Sequence, residues 1–196
     1  MKGEKMSRTS LSTYIWNIFW GYWILSAMYT RLRVKKVSSG QRNTQRIVHL
    51  SFVIIAFFIT LFQFRHITFW NKSISDNLTV QYTGVVILIT SLLFAVWARV
   101  TLGRNWSGAI QKVEGQRLVR SGPYKYIRNP IYTGIIFGFF GTFITFGTMA
   151  SLVGFIIILL IYIIKINNEQ KFLMKEFGEE YRKYIAESWA LIPFIF

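Results

Sequence analysis

The chain has 196 residues, of which 53% are hydrophobic and 18% aromatic, and only 16% are charged, against roughly 25% in an ordinary soluble domain. This hydrophobicity excludes a disordered chain, and the absence of cysteine excludes a disulfide scaffold, a Cys-ligated zinc site and thiol catalysis. The net charge of +15 raises the question of nucleic acid, but the basic residues flank apolar blocks, where anionic headgroups attract them at about 1 kcal/mol each. No recognition-helix or RNA-binding motif accompanies them, so no nucleic-acid partner is expected. Two histidines, His49 and His66, are too few for a His-rich metal centre, and no metal is expected.

In chain order, no Asp, Glu, Lys or Arg falls in 9–30, 47–64, 77–98 or 129–164. A helix needs roughly 20 apolar residues to cross a hydrocarbon core about 30 Å thick. The blocks Leu11 to Tyr29, Ile47 to Phe64 and Tyr82 to Ala98 each fit one crossing. The fourth block has 36 uncharged residues, which as one helix would run about 54 Å. A break at Gly147 divides it into a hairpin, roughly 131–146 and 149–165. The expected fold is an all-α integral membrane bundle of about five transmembrane helices, with a short helical hairpin and an amphipathic C-terminal helix on the membrane surface. Residues 1–80 form an N-terminal part with the first two helices and 81–196 a core with the rest. Trp16, Trp20 and Trp23 of the first span read as lipid-facing and interfacial packing.

Five crossings put three basic clusters on one side: six basic residues in 31–46, seven in 99–128, and Lys165, Lys171, Lys175, Arg182 and Lys183 at the end. The positive-inside rule makes that side cytoplasmic. Lys2, Lys5 and Arg8 then lie outside, against the rule.

Two segments carry more than membrane signals. Thr101 to Gly134, TLGRNWSGAIQKVEGQRLVRSGPYKYIRNPIYTG, holds five glycines and the Gly122-Pro123 turn. Asn129-Pro130 opens a helix, Asn as N-cap and Pro at the first helical position, with free N–H groups able to face an anion. The segment after the hairpin, KINNEQKFLMKEFGEEYRKYIAESWALIPFIF, places Phe172, Leu173, Phe177, Tyr181 and Tyr184 in a stripe beside charged positions. Together they suggest a small-ligand site at one end of a helical bundle, its chemistry open.

The pattern Leu118-Val119-x-x-Gly122-Pro123-Tyr124-x-x-x-Arg128-Asn129-Pro130-x-Tyr132-x-Gly134 is followed by Glu169, Phe177-Gly178-x-Glu180-Tyr181 and a closing Leu191-Ile192-Pro193. With the upstream Leu102-Gly103-x-Asn105-Trp106-Ser107, it resembles the isoprenylcysteine carboxyl methyltransferase family, within a superfamily that includes phospholipid N-methyltransferases. The resemblance covers about residues 80–196. It implies a multi-pass membrane enzyme using S-adenosylmethionine, held on the cytoplasmic side between the loop before the hairpin and the helix after it. It further implies cofactor contacts at Gln111, at Gln116, Arg117, Leu118 and Val119, at Tyr124, at Asn129, Pro130, Ile131 and Tyr132, and at Glu169. Lys165 occupies the place of a family arginine associated with the substrate. The acceptor implied is a lipophilic small molecule, a lipid or a prenylated chain, with membrane lipids as surroundings.

The chain departs from the family in having Gln116 and Asn129 in place of histidines, which keeps hydrogen bonding but removes imidazolium charge. Glu187 reverses a basic position. Each singled-out residue also has a plainer role: Glu169 as a solvated interfacial carboxylate, Lys165 as a snorkelling lysine, Tyr124 and Tyr132 as members of an aromatic belt, Asn129 as a cap. Three functions stay open: methyl transfer to a carboxylate, which is ionised and needs no base; transfer to an amine such as a phosphatidylethanolamine headgroup, which must lose a proton; and a non-catalytic membrane protein retaining the fold.

Overall fold

The computed structural model describes residues 2–33, 36–39, 43–61, 70, 72–74, 77–106, 110–113, 115 and 117–195. Its elements in chain order are α1 (Lys2–Arg33), β1 (Lys36–Ser39), α2 (Asn43–Leu61), α3 (Leu78–Leu102), β2 (Gln111–Val113), α4 (Pro130–Phe146), α5 (Met149–Phe177) and α6 (Glu179–Ala186). Short 3-10 turns occupy Gly103–Asn105 and Gly122–Lys125. Helices stand at all five predicted positions. Among the described residues, three are long and apolar enough to cross a membrane, within Thr44–Leu61, Leu78–Asn105 and Met149–Phe177; Pro130–Phe146 is a shorter apolar helix. α1 is long enough, but Ser12, Thr13, Asn17, Ser26 and Thr30 dilute its apolar run.

Two of those polar positions, Ser26 and Thr30, have a structural use. The buried Arg99 of α3 donates to the Ser26 carbonyl at 3.1 Å and to Thr30 Oγ1 at 2.6 Å, and its guanidinium lies 4.0 Å from the Trp106 ring centroid. The reading of Trp16 as lipid-facing is corrected: it is only 1% exposed. Its Nε1–H donates to Thr142 Oγ1 at 2.9 Å, and its ring meets Phe57 and Phe139 at 4.8 and 5.0 Å. A buried indole N–H needs a partner, and Thr142 of α4 provides one.

α3 and α4 pack backbone to backbone. A Cβ added to Gly141 would lie 2.6 Å from Leu88 N, and one on Gly84 would lie 2.5 Å from Thr145 N. Small residues at such crossings let helices associate without a hydrophobic driving force between them. The hairpin turns where the sequence places it. Gly147 adopts φ 59°, ψ 31°, and Thr148 and Ser151 cap α5 reciprocally.

Beyond that turn the structure differs from the expected short span followed by a separate surface helix. α5 runs unbroken for 29 residues, about 43 Å, because no Gly or Pro interrupts 155–177. The break comes only at Gly178, with φ 52°. The last turns of the spanning helix therefore carry Glu169, Phe172, Leu173 and Phe177 to the candidate site.

Two sets of pairings shape that end of the bundle. β1 and β2 pair antiparallel, tying the α1–α2 connection to the α3–α4 connection. The C-terminal segment returns alongside the start of α4. Arg128 N–H donates to the Trp189 carbonyl at 2.8 Å, Trp189 N–H to the Tyr126 carbonyl at 2.9 Å, and Thr133 Oγ1 to the Leu191 carbonyl at 2.9 Å.

Candidate functional site

A cleft of about 840 Å3, its open mouth included, lies where these pieces meet. The end of α3 and the turn after it supply Leu102, Asn105 and Trp106; the connection supplies Ile110, Arg117, Leu118, Val119, Tyr124 and Arg128; α4 and its cap supply Asn129, Ile131 and Tyr132. The opposite wall is Glu169, Phe172, Leu173 and Phe177 of α5 with Tyr181 and Tyr184 of α6. Of the residues singled out in the sequence, Arg117, Leu118, Val119, Tyr124, Asn129, Ile131, Tyr132 and Glu169 come together here. Pro130 is the buried first residue of α4 rather than a lining residue. Gln111 opens β2, its side chain lying outside the described residues, as does the whole of Gln116.

The cleft's polar groups are few and mostly oriented. Tyr132 O–H donates to Glu169 Oε2 at 2.7 Å. The Lys165 ammonium lies 5.0 Å from the centroid of the same Tyr132 ring, one helical turn before Glu169. Lys165 does not line the cleft; it touches the cleft through Tyr132. Arg117 N–H donates to Asn105 Oδ1 at 2.8 Å, which fixes the connection against the end of α3.

The expected side-chain cap by Asn129 is corrected. α4 has no side-chain cap hydrogen bond, and Asn129 (φ −124°, ψ 54°) turns its Nδ2 to the Ala190 carbonyl at 3.0 Å. The returning tail offers a buried acceptor that competes with capping. Arg128 also serves the tail: its Nη1 donates to the carbonyls of Ile185 and Ser188 and to Ser188 Oγ. Its buried Nε has no partner. Sequence reasoning placed Arg128 and Tyr181 in a motif without seeing them as cleft walls; Phe172, Leu173 and Phe177 were legible only as an apolar stripe.

Burial depresses the Arg128 pKa from its ordinary value, yet a guanidinium stays charged in proteins. Burial pushes the Tyr124 phenol far up, and that of Tyr184 up to about 12. Both phenols are therefore protonated at neutral pH, and Tyr184 O–H donates to the Tyr124 carbonyl at 2.6 Å. They act as walls and donors, not as bases. Glu187, the reversed charge, is exposed and paired with Arg120 at 3.5 Å. The resulting cleft presents one carboxylate, two guanidiniums and apolar and aromatic walls, which suits a small molecule with a zwitterionic end and a flat apolar part. Among the described residues no three His, Asp or Glu side chains gather to hold a metal.

The sequence profile of the phospholipid methyltransferase family matches residues 80–180. Among proteins of similar sequence, the uncharacterized protein YpbQ of Bacillus subtilis (strain 168) is 27% identical over 129 residues, covering 59% of this chain and 73% of that protein. Probable protein-S-isoprenylcysteine O-methyltransferases of Oryza sativa subspecies indica and japonica are 28% identical over 119 residues, covering 59% of this chain and 62% of theirs. The solved structure of the eukaryotic intramembrane Ras methyltransferase, isoprenylcysteine carboxyl methyltransferase, superposes with a TM-score of 0.56 at 22% identity, covering 79% of this chain and 54% of that one. The chain thus spans about half the length of the solved protein and shares its fold. With the matched region running over half of the sequence and containing every described cleft residue except Tyr181 and Tyr184, this integral membrane protein belongs to the phospholipid methyltransferase family.

Proposed function

We propose that the chain is an S-adenosylmethionine-dependent methyltransferase acting on the carboxylate of a lipophilic acceptor. One observation carries the reading: Glu169, from the end of α5, and the 117–132 segment line a single cleft. The residues fit the cofactor. Glu169 suits its ammonium; Arg117 and Arg128, the latter with an unpartnered buried Nε, suit its carboxylate; Leu118, Val119, Ile131 and the neighbouring aromatic rings suit its base. When bound, the cofactor supplies a methyl group already activated on a sulfonium. What remains for the protein is alignment and the exclusion of water. Tyr132 fixes Glu169 by hydrogen bonding, and the apolar walls of α5 and α6 cover the cleft.

The carboxylate acceptor is favoured over an amine by the charges. Glu187 is paired with Arg120 and Glu169 is taken by the cofactor's ammonium in this reading, while Lys165 offers a cation beside Tyr132. The names of the rice relatives support the same chemistry. Incubation with methyl-labelled cofactor and a total membrane extract tests it. A lipophilic product whose label is released as methanol by mild base is expected; a base-stable label would mean transfer to nitrogen.

We place the cleft on the cytoplasmic side, because the basic clusters of 31–46 and 99–128 stand at its end of the bundle. The chain lacks cysteine, so a single cysteine at the exposed Lys175 gives a clean probe. An impermeant maleimide is expected to label it in inside-out vesicles and not in intact cells; labelling in intact cells would reverse the orientation.

A further inference from the structure

In the sequence Arg99 is one of seven basic residues in 99–128; in the structure it is 3% exposed, near the end of α3. Among the described residues no carboxylate lies within ion-pairing distance of it. Its donors go instead to two neighbours. One is α1: Nη2 donates to the Ser26 carbonyl and to Thr30 Oγ1, and Thr30 gives its own proton to the Ser26 carbonyl at 3.0 Å, which leaves a lone pair for Arg99. The other is the turn after α3. Nη1 donates to the Gly103 carbonyl at 3.3 Å, an oxygen that also accepts from the Trp106 N–H at 3.3 Å, and the Gly103 N–H donates back to the Arg99 carbonyl. The guanidinium carbon stands 4.0 Å from the Trp106 ring centroid, and Trp23 of α1 meets the same ring nearly at right angles, 5.8 Å away. Trp106 itself is half-buried and lines the cleft.

We propose that Arg99 is a positioning residue for the cofactor cleft, holding Trp106 as a preset wall for the cofactor's flat base, and that α1, outside the family-matched region, serves the site through it. A tie between two helices needs only a neutral donor; a buried guanidinium without a counter-charge carries a desolvation cost that such a tie does not offset. What the charge adds is attraction to the face of an indole, strongest where water is excluded. Arg99 holds both the ring and the carbonyl on which the Trp106 backbone turns. The indole is therefore set before a ligand arrives, and a preset wall lowers the ordering cost of binding. The inference rests on the proposed methyl transfer for the identity of the ligand, while the clamp itself is tested in the empty protein.

The test uses fluorine NMR of the full chain in nanodiscs, labelled with 5-fluorotryptophan, with S-adenosylmethionine as the ligand. Trp106→Phe and Trp16→Phe assign two of the seven tryptophan signals; Trp16, held by Thr142, reports the fold. Arg99→Gln is expected to move the Trp106 signal in the empty protein, to leave the Trp16 signal in place and to weaken cofactor binding about tenfold. Arg99→Lys, which keeps a charge for the ring, should recover part of the loss, and Thr30→Val, which removes an acceptor on α1, should act in the same direction as Arg99→Gln. In a Trp106→Leu background Arg99→Gln should weaken the cofactor no further, since its effect passes through that ring. A Trp106 signal and a cofactor affinity both unchanged in Arg99→Gln, or losses that add in the double variant, would overturn the proposal and leave Arg99 a tie between α1 and α3. If Arg99→Gln displaces the Trp16 signal as well, Thr30→Val and Arg99→Lys carry the same comparison. A parent chain that binds no cofactor overturns the methyl-transfer reading and with it the cofactor role of Trp106; an unmoved Trp106 signal overturns the clamp whether or not cofactor binds.

Discussion

Glu169→Gln is expected to lower affinity for S-adenosylmethionine roughly 10- to 150-fold, since losing a charge-assisted hydrogen bond costs about 1.5–3 kcal/mol. The substitution conserves shape and leaves an amide oxygen to accept from Tyr132, whose hydroxyl now bonds Glu169 at 2.7 Å. What it removes is the cleft's single described carboxylate, among the guanidiniums of Arg117 and Arg128. The affinity of the demethylated product should fall in parallel, because its ammonium end is the same. An unchanged affinity in folded Glu169→Gln protein would make Glu169 a solvated carboxylate at a helix end.

Lys165→Ala is expected to leave cofactor affinity nearly intact and to reduce kcat/KM for an acidic acceptor by a similar 10- to 150-fold. The two residues sit one turn apart on α5 yet engage Tyr132 differently, Glu169 at the hydroxyl and Lys165 near the ring face. That geometry separates a cofactor side from an acceptor side. Lys165→Arg should recover part of the loss, whereas an amine acceptor would be indifferent to Lys165→Ala or favoured by it. Cofactor loss in Lys165→Ala as severe as in Glu169→Gln would put Lys165 on the cofactor side.

The hairpin was legible because one residue decides it. Gly147 adopts φ 59° at the turn without the steric cost a side chain meets there, and a 36-residue uncharged block is too long for one crossing. The cleft walls in 117–132 were legible through motif spacing, since local sequence builds that connection. What the sequence did not disclose depends on partners distant in the chain. Trp16 looks like an interfacial tryptophan until Thr142, 126 residues away, is seen to accept its N–H. Asn129 has the signature of a cap, but the tail carbonyl of Ala190 takes its side chain. The length of α5 was misread because the polar residues at 165–171 end the apolar run but not the helix, whose end is set by Gly178. His49 carried no sequence signal for its burial, since that depends on Tyr162 across the α2–α5 packing.

The most direct test is calorimetric titration of S-adenosylmethionine into the full chain in nanodiscs. Saturable binding at micromolar affinity, about 8 kcal/mol at 1 μM, is expected, with the demethylated product competing for the same site. Absence of binding at millimolar cofactor to folded protein would contradict it and leave a membrane protein that keeps the family's fold without its chemistry.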